Sequence, residues 1–201
     1  MEKIWLKSYQ EGVSTEIDLN QYQSLGEMFE QSVAKFRERP AYINMGVQIS
    51  YGQLDKLSRD FAAYLQKVLK LPKGARIAVM MPNILQYPIT VLGALRAGYV
   101  VVNVNPLYTP RELEHQLRDS GAEVIVILEN FAVTLEQVIA NTPVKHVVMA
   151  RLGDMLGFPK GAVVNFVVKY VKKMVPAANV PGAVNYRTAL SKGAAEELSS
   201  V

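Results

Sequence analysis

Few side chains in this 201-residue sequence have the type and spacing that catalysis or metal binding requires. The two histidines, His115 and His146, belong to no metal-ligand pattern of cysteines or carboxylates. Cysteine is absent, which excludes a disulfide framework and a cysteine-ligated metal. We therefore predict no catalytic residue and no metal ligand in this chain, and an ordinary surface or half-buried position for each histidine.

A glycine-rich phosphate-binding loop is also missing from the sequence. Its glycines are isolated, and each suits a turn, a helix end or a close packing contact: Gly74, Gly93, Gly98 and Gly121. No serine has the strand-to-helix context of an exposed nucleophile. We therefore predict no cofactor-binding residue in this chain.

One loop has polar side chains where a ligand could lie. Asn103 and Asn105 follow a predicted strand, and open α/β sheets bind ligands beyond the carboxyl ends of their strands. The same side chains suit a structural loop, in which they bond to freed backbone groups while Pro106 keeps the chain extended. We expect the structural role, with ligand contact by residues 103–108 as the alternative.

A second candidate is an amphipathic segment, Gly161–Val175, which is predicted to be a helix that ends before Pro176. In one interpretation its apolar stripe packs on the domain and its lysines face water. In the other, it lies flat on a bilayer, where each lysine contributes on the order of 1 kcal/mol at an anionic surface, so attachment is weak and reversible. The membrane-interface candidates are Val163, Phe166, Val167, Lys169, Tyr170, Lys172, Lys173 and Met174.

The elements that would position these residues alternate between strand and helix. Three all-apolar runs are typical of strands covered on both faces: residues 77–81, 99–102 and 124–128. A fourth strand is predicted at 146–149. The helices between these strands are predicted at 84–97, 111–120 and 134–140. This order predicts an α/β fold with a doubly wound, mainly parallel sheet and flanking helices.

Capping boxes mark the starts of three helices, because a Ser or Thr is followed three residues later by Glu or Gln. The pairs are Ser24 with Glu27, Ser50 with Gln53, and Thr109 with Glu112. The first two predict helices from Ser24 to about Phe36 and from Ser50 to about Leu69. Between them, Gly46 separates two short runs that predict a β-hairpin.

Composition limits the compartment and the partners. No apolar run approaches the roughly 20 residues that span a bilayer. The amino terminus has no apolar run of the kind found in secretion signals, so we expect no secretion. The net charge of +4 is too mild to indicate nucleic-acid binding by itself. We expect an intracellular protein that binds no nucleic acid.

Several stretches resemble the acyl-adenylate-forming (AMP-binding) superfamily. They are residues 49–54 (ISYGQL), 81–83 (MPN) and 95–108 (LRAGYVVVNVNPLY). The continuation at 109–122 (TPRELEHQLRDSGA) and the segment at 163–176 (VVNFVVKYVKKMVP) are similar to bacterial long-chain fatty acid CoA ligases. The resemblance covers nearly the whole chain.

The resemblance implies a two-step reaction that uses ATP and Mg²⁺. A fatty carboxylate attacks the α-phosphate of ATP to give acyl-AMP and pyrophosphate, and the CoA thiol then displaces AMP. Burial of the alkyl tail would contribute about 0.8 kcal/mol per methylene. The resemblance also implies a cytoplasmic protein, peripheral on the inner face of the cytoplasmic membrane.

The sequence departs from the family in what it lacks. It ends before the Ser/Thr/Gly-rich phosphate loop, and it has neither the later adenine- and Mg²⁺-binding motifs nor the domain with the adenylation lysine. No catalytic residue of the family therefore falls on this chain. Without phosphate-cradling amides or a cation, we expect these residues alone to be inactive and to have the remainder of the ligase as their partner.

We predict three segments: an N-terminal arm at 1–21, an α/β subdomain at 22–152, and an amphipathic helix with a connecting tail at 153–201. The tail after Pro181 is weakly patterned and is expected to have no closing element. Two alternatives stay open at this point. One is a non-catalytic module that binds a membrane or a partner through Gly161–Val175 and the arm. The other is a fragment of a medium-chain or aryl acid CoA ligase.

Overall fold

The computed structural model describes residues 2–200 of the protein. The strands are β1 Pro40–Asn44, β2 Val47–Ser50, β3 Arg76–Met80, β4 Val100–Asn103, β5 Val124–Leu128, β6 His146–Ala150 and β7 Val184–Asn185. The α-helices are α1 Leu25–Phe36, α2 Tyr51–Ala63, α3 Gln86–Arg96, α4 Pro110–Ser120, α5 Ala132–Glu136, α6 Lys160–Phe166 and α7 Tyr186–Gly193.

Five strands form one parallel sheet in the order β4-β3-β5-β6-β7, and β1 and β2 form a separate antiparallel hairpin. The central strand β5 is buried along its whole length. Alternate residues of β3 enter different cores: Ile77 and Val79 belong to one, Ala78 and Met80 to the other. The predicted sheet of mainly parallel strands, covered on both faces, is confirmed.

Helices cover the two faces unequally. The first core contains residues of α1, α2, α3 and α7, and the second contains residues of α4 and α5. One strand departs from the prediction, because Val100 of β4 is 48% exposed although its run is entirely apolar. Since β4 lies at the edge of the sheet, it lacks the cover that β5 receives from both neighbours.

Two of the three capping boxes form completely, at Ser50 with Gln53 and at Thr109 with Glu112. At the third, the Ser24 hydroxyl accepts from Glu27 N at 3.1 Å, but the Glu27 carboxylate accepts from Gln23 N instead of Ser24 N. The predicted hairpin is confirmed. Its turn places Met45 and Gly46 at φ 49° and 72°, and positive φ at both central residues is what a type I′ turn requires.

Two helices end in a wider turn than the sequence predicts. α2 continues as a π-helical turn at Tyr64–Val68, and α6 continues as one at Val167–Val171. After each turn a lysine adopts the left-handed conformation, Lys70 at φ 53° and Lys173 at φ 52°. The helix that begins as α6 therefore ends at Val171, four residues before the predicted end at Val175. The predicted helix at 134–140 is also displaced, because α5 covers Ala132–Glu136 and a 3₁₀ turn follows at Ile139–Asn141.

The ends of the chain differ in how well they pack. The arm contains one 3₁₀ turn, Ile4–Ser8, and its Ile17 and Leu19 are each 85% exposed. Met1 and Val201 lie outside the described residues. The expectation of a tail without a closing element is wrong, because β7 extends the sheet and α7 packs into the first core. Tyr186 at the start of α7 is completely buried.

Two neighbouring helices, α3 and α7, pack closely against α2 at a glycine in each. A Cβ atom added at Gly93 of α3 would lie 2.9 Å from the Ser58 carbonyl oxygen, and one added at Gly193 of α7 would overlap the Asp60 carbonyl oxygen. Arg96 of α3, whose side chain is 4% exposed, reinforces the first approach. Its Nη1 donates to Asp55 Oδ1 at 2.9 Å and to Ser58 Oγ at 2.8 Å. Only glycine allows the two backbones to approach so closely.

The contact at Gly193 gives the first prediction. Gly193→Ala should lower the free energy of unfolding by about 1–3 kcal/mol, because the added methyl group forces α7 away from α2. Gly26→Ala is the matched control, since its Cβ would meet only Ser24 Oγ at 3.5 Å. Alanine favours helix, so the control should be neutral or stabilising by up to about 1 kcal/mol. Urea unfolding measures both, and equal effects would contradict the close packing of α7.

Candidate functional site

The loops after the parallel strands all lie at one edge of the sheet. Several clefts open along this edge, and two of them lie toward opposite ends of the strand order. The smaller, of about 370 Å³, lies beyond β3 and β4, and its lining includes Asn83, Tyr87 and Asn103. The larger, of about 930 Å³, lies beyond β5, β6 and β7. Ligands of open α/β sheets occupy this edge, so both clefts are candidate sites.

The predicted Asn103 loop lies at the smaller cleft, and its amides are engaged within the fold. The Tyr87 hydroxyl donates to Asn103 Oδ1 at 2.9 Å. Asn105 Oδ1 accepts from Leu107 N at 3.0 Å, which is the local turn that the structural interpretation predicts. Both side-chain oxygens are therefore used to hold the loop.

The larger cleft has walls from α7 and from the α6 segment, which comprises α6 and its π-helical turn, residues 160–171. The α6 segment contributes Phe166, Lys169 and Tyr170, and α7 contributes Arg187 and Lys192. Its floor contains residues that directly follow strand ends, Glu129 after β5 and Arg151 after β6. The parallel sheet thus brings together side chains separated by more than 60 positions in the sequence.

Arg151 holds the two carboxylates of this cleft. Its Nε lies 3.7 Å from Glu129 Oε2, and its backbone N donates to Asp154 Oδ2 at 2.8 Å. Burial raises the pKa of Glu129, against the opposing attraction of Arg151 and Lys169. Burial likewise raises the pKa of Asp154, against the hydrogen bond from Arg151 and the charges of Arg151 and Arg187. Desolvation therefore outweighs the nearby positive charge at both carboxyls.

The basic side chains on the cleft walls form fewer ion pairs than Arg151 does. Among residues 2–200, no carboxylate forms an ion pair with Lys169, Arg187 or Lys192, and all three residues are exposed. Lys169 lies 5.8 Å from the ring centroid of Tyr170. The cleft therefore contains positive charge that the described part of the fold does not neutralise.

The membrane-interface candidates are mostly on the surface. Phe166, Tyr170 and Met174 are 59%, 62% and 58% exposed, and Val163 is similarly exposed, whereas Val167 is half-buried. The three lysines of the set are exposed, but Lys172, Lys173 and Met174 lie beyond the helix end. The apolar stripe therefore does not pack on the domain as the first interpretation requires, and it continues past the helix.

The opposite side of α6 is fixed to the domain. Gly153 and Gly161 approach so closely that a Cβ atom at either one would overlap the carbonyl oxygen of the other. Asn165 Oδ1 accepts from Gly153 N at 2.7 Å. The Lys160 amino group also donates to the Met45 carbonyl oxygen in the hairpin turn. These contacts determine which face of α6 is exposed.

The histidines lie at the surface and at a strand end, as the sequence predicts. His115 is exposed on α4, and His146 is half-buried as the first residue of β6. Within residues 2–200, no group of three or more His, Asp and Glu side chains is arranged to hold a metal ion. No helix in that range has both the length and the apolar character needed to cross a bilayer.

Sequence reasoning missed the larger cleft, although part of it carried a signal. Glu129 and Arg151 directly follow strand ends, and the rule that placed Asn103 at the carboxyl edge applies to them equally. Arg187 and Lys192 had no such signal, because the sequence pattern did not predict α7.

Comparison with known proteins agrees with this arrangement. The AMP-binding enzyme family matches residues 29–189. The long-chain fatty acid CoA ligase of Escherichia coli O6:H1 is 58% identical over 193 residues, which are 96% of this chain and 34% of that protein. The ligase of the same name from Yersinia pestis is also 58% identical, with the same coverage. The chain thus spans about a third of the length of these relatives.

Solved structures share the fold. The crystal structure of an anthranilate CoA ligase with bound anthranoyl-AMP matches 89% of this chain and 29% of its own, with a TM-score of 0.68 and 15% sequence identity. At that identity the likeness concerns the fold alone. The parallel sheet with flanking helices is therefore the arrangement found in a CoA ligase.

Proposed function

The chain belongs to the AMP-binding enzyme family, and from this premise we propose that it is the N-terminal part of a long-chain fatty acid CoA ligase. The observation that carries the proposal is the 58% identity to ligases of that name over 96% of the chain. The runner-up, a medium-chain or aryl acid ligase, has weaker support, since the 4-coumarate CoA ligase of Pinus taeda is 30% identical over 115 residues.

The complete protein would join a long-chain fatty acid to CoA in two steps. The fatty carboxylate attacks the α-phosphate of ATP and releases pyrophosphate, and the CoA thiol then displaces AMP from the acyl-AMP. Magnesium would support the first step in the complete protein. The described residues hold no fitting group of metal ligands, and the sequence has no phosphate-binding loop, so we assign neither Mg²⁺ nor the ATP phosphates to these side chains.

The proposed role of this chain is to provide a rigid scaffold for the remainder of the enzyme. The α/β subdomain at 22–152 supplies four strands of the sheet, and β7 and α7 from the following segment add the fifth strand and part of the first core. The carboxyl edge of the sheet carries both clefts, so it is the surface on which nucleotide- and acyl-binding parts would lie. Chemistry needs donors aimed at the charge that develops in the transition state, and those donors would come from the remainder.

The second prediction follows from placing the scaffold in this chain and the reacting groups in the remainder of the enzyme. A chain extended to the length of its relatives should form oleoyl-CoA and release pyrophosphate when given oleate, ATP, Mg²⁺ and CoA. The 201-residue chain should release none above background, because its sequence has no phosphate-binding loop and residues 2–200 hold no group of metal ligands. A coupled pyrophosphate assay on both proteins measures this. Turnover by the shorter chain, or inactivity of a correctly folded longer chain, would contradict the proposal.

We further propose that the complete ligase is cytoplasmic and associates peripherally with the inner face of the cytoplasmic membrane through the α6 segment. The support is the exposed apolar surface at Val163, Phe166 and Tyr170 with Lys169 beside it. Exposed aromatic and aliphatic side chains enter the interface between headgroups and acyl chains, and lysines attract anionic lipids. The helix is short, so binding would be weak and sensitive to salt.

The third prediction concerns this surface. Phe166→Glu/Tyr170→Glu should lower the fraction of protein that co-sediments with phosphatidylglycerol-containing vesicles several-fold, because two apolar contacts become charges that the anionic surface repels. Leu25→Glu/Leu107→Glu is the matched control, since both leucines are exposed, Leu25 on α1 and Leu107 in the loop between β4 and α4. Equal binding by wild type and the α6 variant, or equal losses in both variants, would remove this helix from membrane attachment.

A further inference from the structure

The larger cleft at the carboxyl edge is lined by both charged and aromatic side chains. Its carboxylates are already engaged, since Glu129 and Asp154 both contact Arg151. Its remaining charges are basic: Lys169 on the α6 wall, and Arg187 and Lys192 on the α7 wall. Four basic and two acidic side chains line the cleft, which leaves a net charge of about +2 with both carboxylates ionised. Such a lining attracts an anion.

The other part of the lining is aromatic. Phe166 and Tyr170 lie one helical turn apart, with ring centroids 5.2 Å apart and planes tilted by 42°. Both rings are more than half exposed, and both line the cleft. They form an apolar part of the lining, on the segment that we place at the membrane surface. An ion that also carries a hydrocarbon chain would use both parts of the lining.

We propose that this cleft binds a long-chain carboxylate, with the head group at Arg187 and Lys192 and the alkyl chain against Phe166 and Tyr170. Arginine pairs with a planar carboxylate through two parallel hydrogen bonds. The net charge of about +2 attracts any anion, and the aromatic side chains of Phe166 and Tyr170 favour an anion that also carries a hydrocarbon chain. The volume of about 930 Å³ lies within the roughly 300–1,000 Å³ usual for small-molecule sites.

This inference rests on the proposed function, which supplies the fatty acid as substrate. The cleft then has the role of capture. A fatty acid leaving the bilayer beside α6 would meet the aromatic wall first and the basic wall next. No bond forms or breaks at this step, since the described residues contain no group for activating the carboxylate. The captured acid would pass to the nucleotide site in the remainder of the ligase.

Calorimetric titration of the 201-residue chain with oleate, octanoate and acetate tests the site, with oleate kept below its micelle concentration. Arg187→Gln/Lys192→Gln should weaken oleate binding by about tenfold or more, as expected for the loss of charge-assisted hydrogen bonds. The matched control, Lys73→Gln/Arg111→Gln, removes the same charge from exposed residues outside the cleft and should stay within about twofold. Affinity should rise with chain length, by about fourfold per buried methylene.

The remaining outcomes are each decisive. Equal weakening in the two variants, or acetate binding as tightly as oleate, would overturn the site. Titration with phosphatidylglycerol vesicles forms the second arm. If the cleft variant loses vesicle binding while oleate binding is unchanged, the cleft takes a lipid headgroup and the carboxylate assignment is wrong. None of these outcomes affects the ligase proposal, which acyl-CoA formation by the extended chain tests separately. Circular dichroism checks that every variant is folded.

Discussion

The close packing of α2 against α3 and α7 is the constraint on which the rest of the structure depends. At Gly93 and Gly193 the neighbouring backbones leave no room for a side chain. The burial of Tyr186 completes this arrangement. Its hydroxyl lies 3.0 Å from Thr90 Oγ1 and donates to the Gln86 carbonyl oxygen at 3.2 Å, so α7 is bonded to α3 within the core. Burial also raises the pKa of this phenol, which keeps it protonated as a donor.

The same network reaches the carboxyl edge of the sheet. Gln86 Nε2 donates to the Arg151 carbonyl oxygen at 2.7 Å, which fixes the chain where it leaves β6. Arg151 in turn holds Glu129 and Asp154, and the loop that follows is held against α6 by the contact between Gly153 and Gly161. The packing of α7 thus determines the position of one cleft wall directly and of the other through this loop. A scaffold of this kind can present a charged and apolar surface with little reorganisation.

The sequence predicted the parts of this fold that local rules determine. Apolar runs identified β3, β5 and β6, and the capping boxes at Ser50 and Thr109 identified helix starts to within a residue. It did not predict α7, although Asn185 is its N-cap and Tyr186, Ala189 and Leu190 are buried at helical spacing, because the small residues Ala189 and Gly193 weaken this stripe. It also extended α6 too far, since the π-turn at Val167–Val171 depends on backbone conformation. For the larger cleft, the sequence carried a signal only at Glu129 and Arg151, which follow strand ends, whereas Arg187 joins them only when β5, β6 and β7 are side by side.

The central claim is that these residues are the scaffold of a longer acid–CoA ligase whose phosphate-binding groups follow in the polypeptide. The most direct measurement is to sequence the coding region downstream of Val201. The account predicts an open frame that soon encodes a loop rich in Ser, Thr and Gly, because the chain spans 34% of its relatives and has no such loop of its own. A stop codon immediately after Val201 would contradict it and would favour a non-catalytic module.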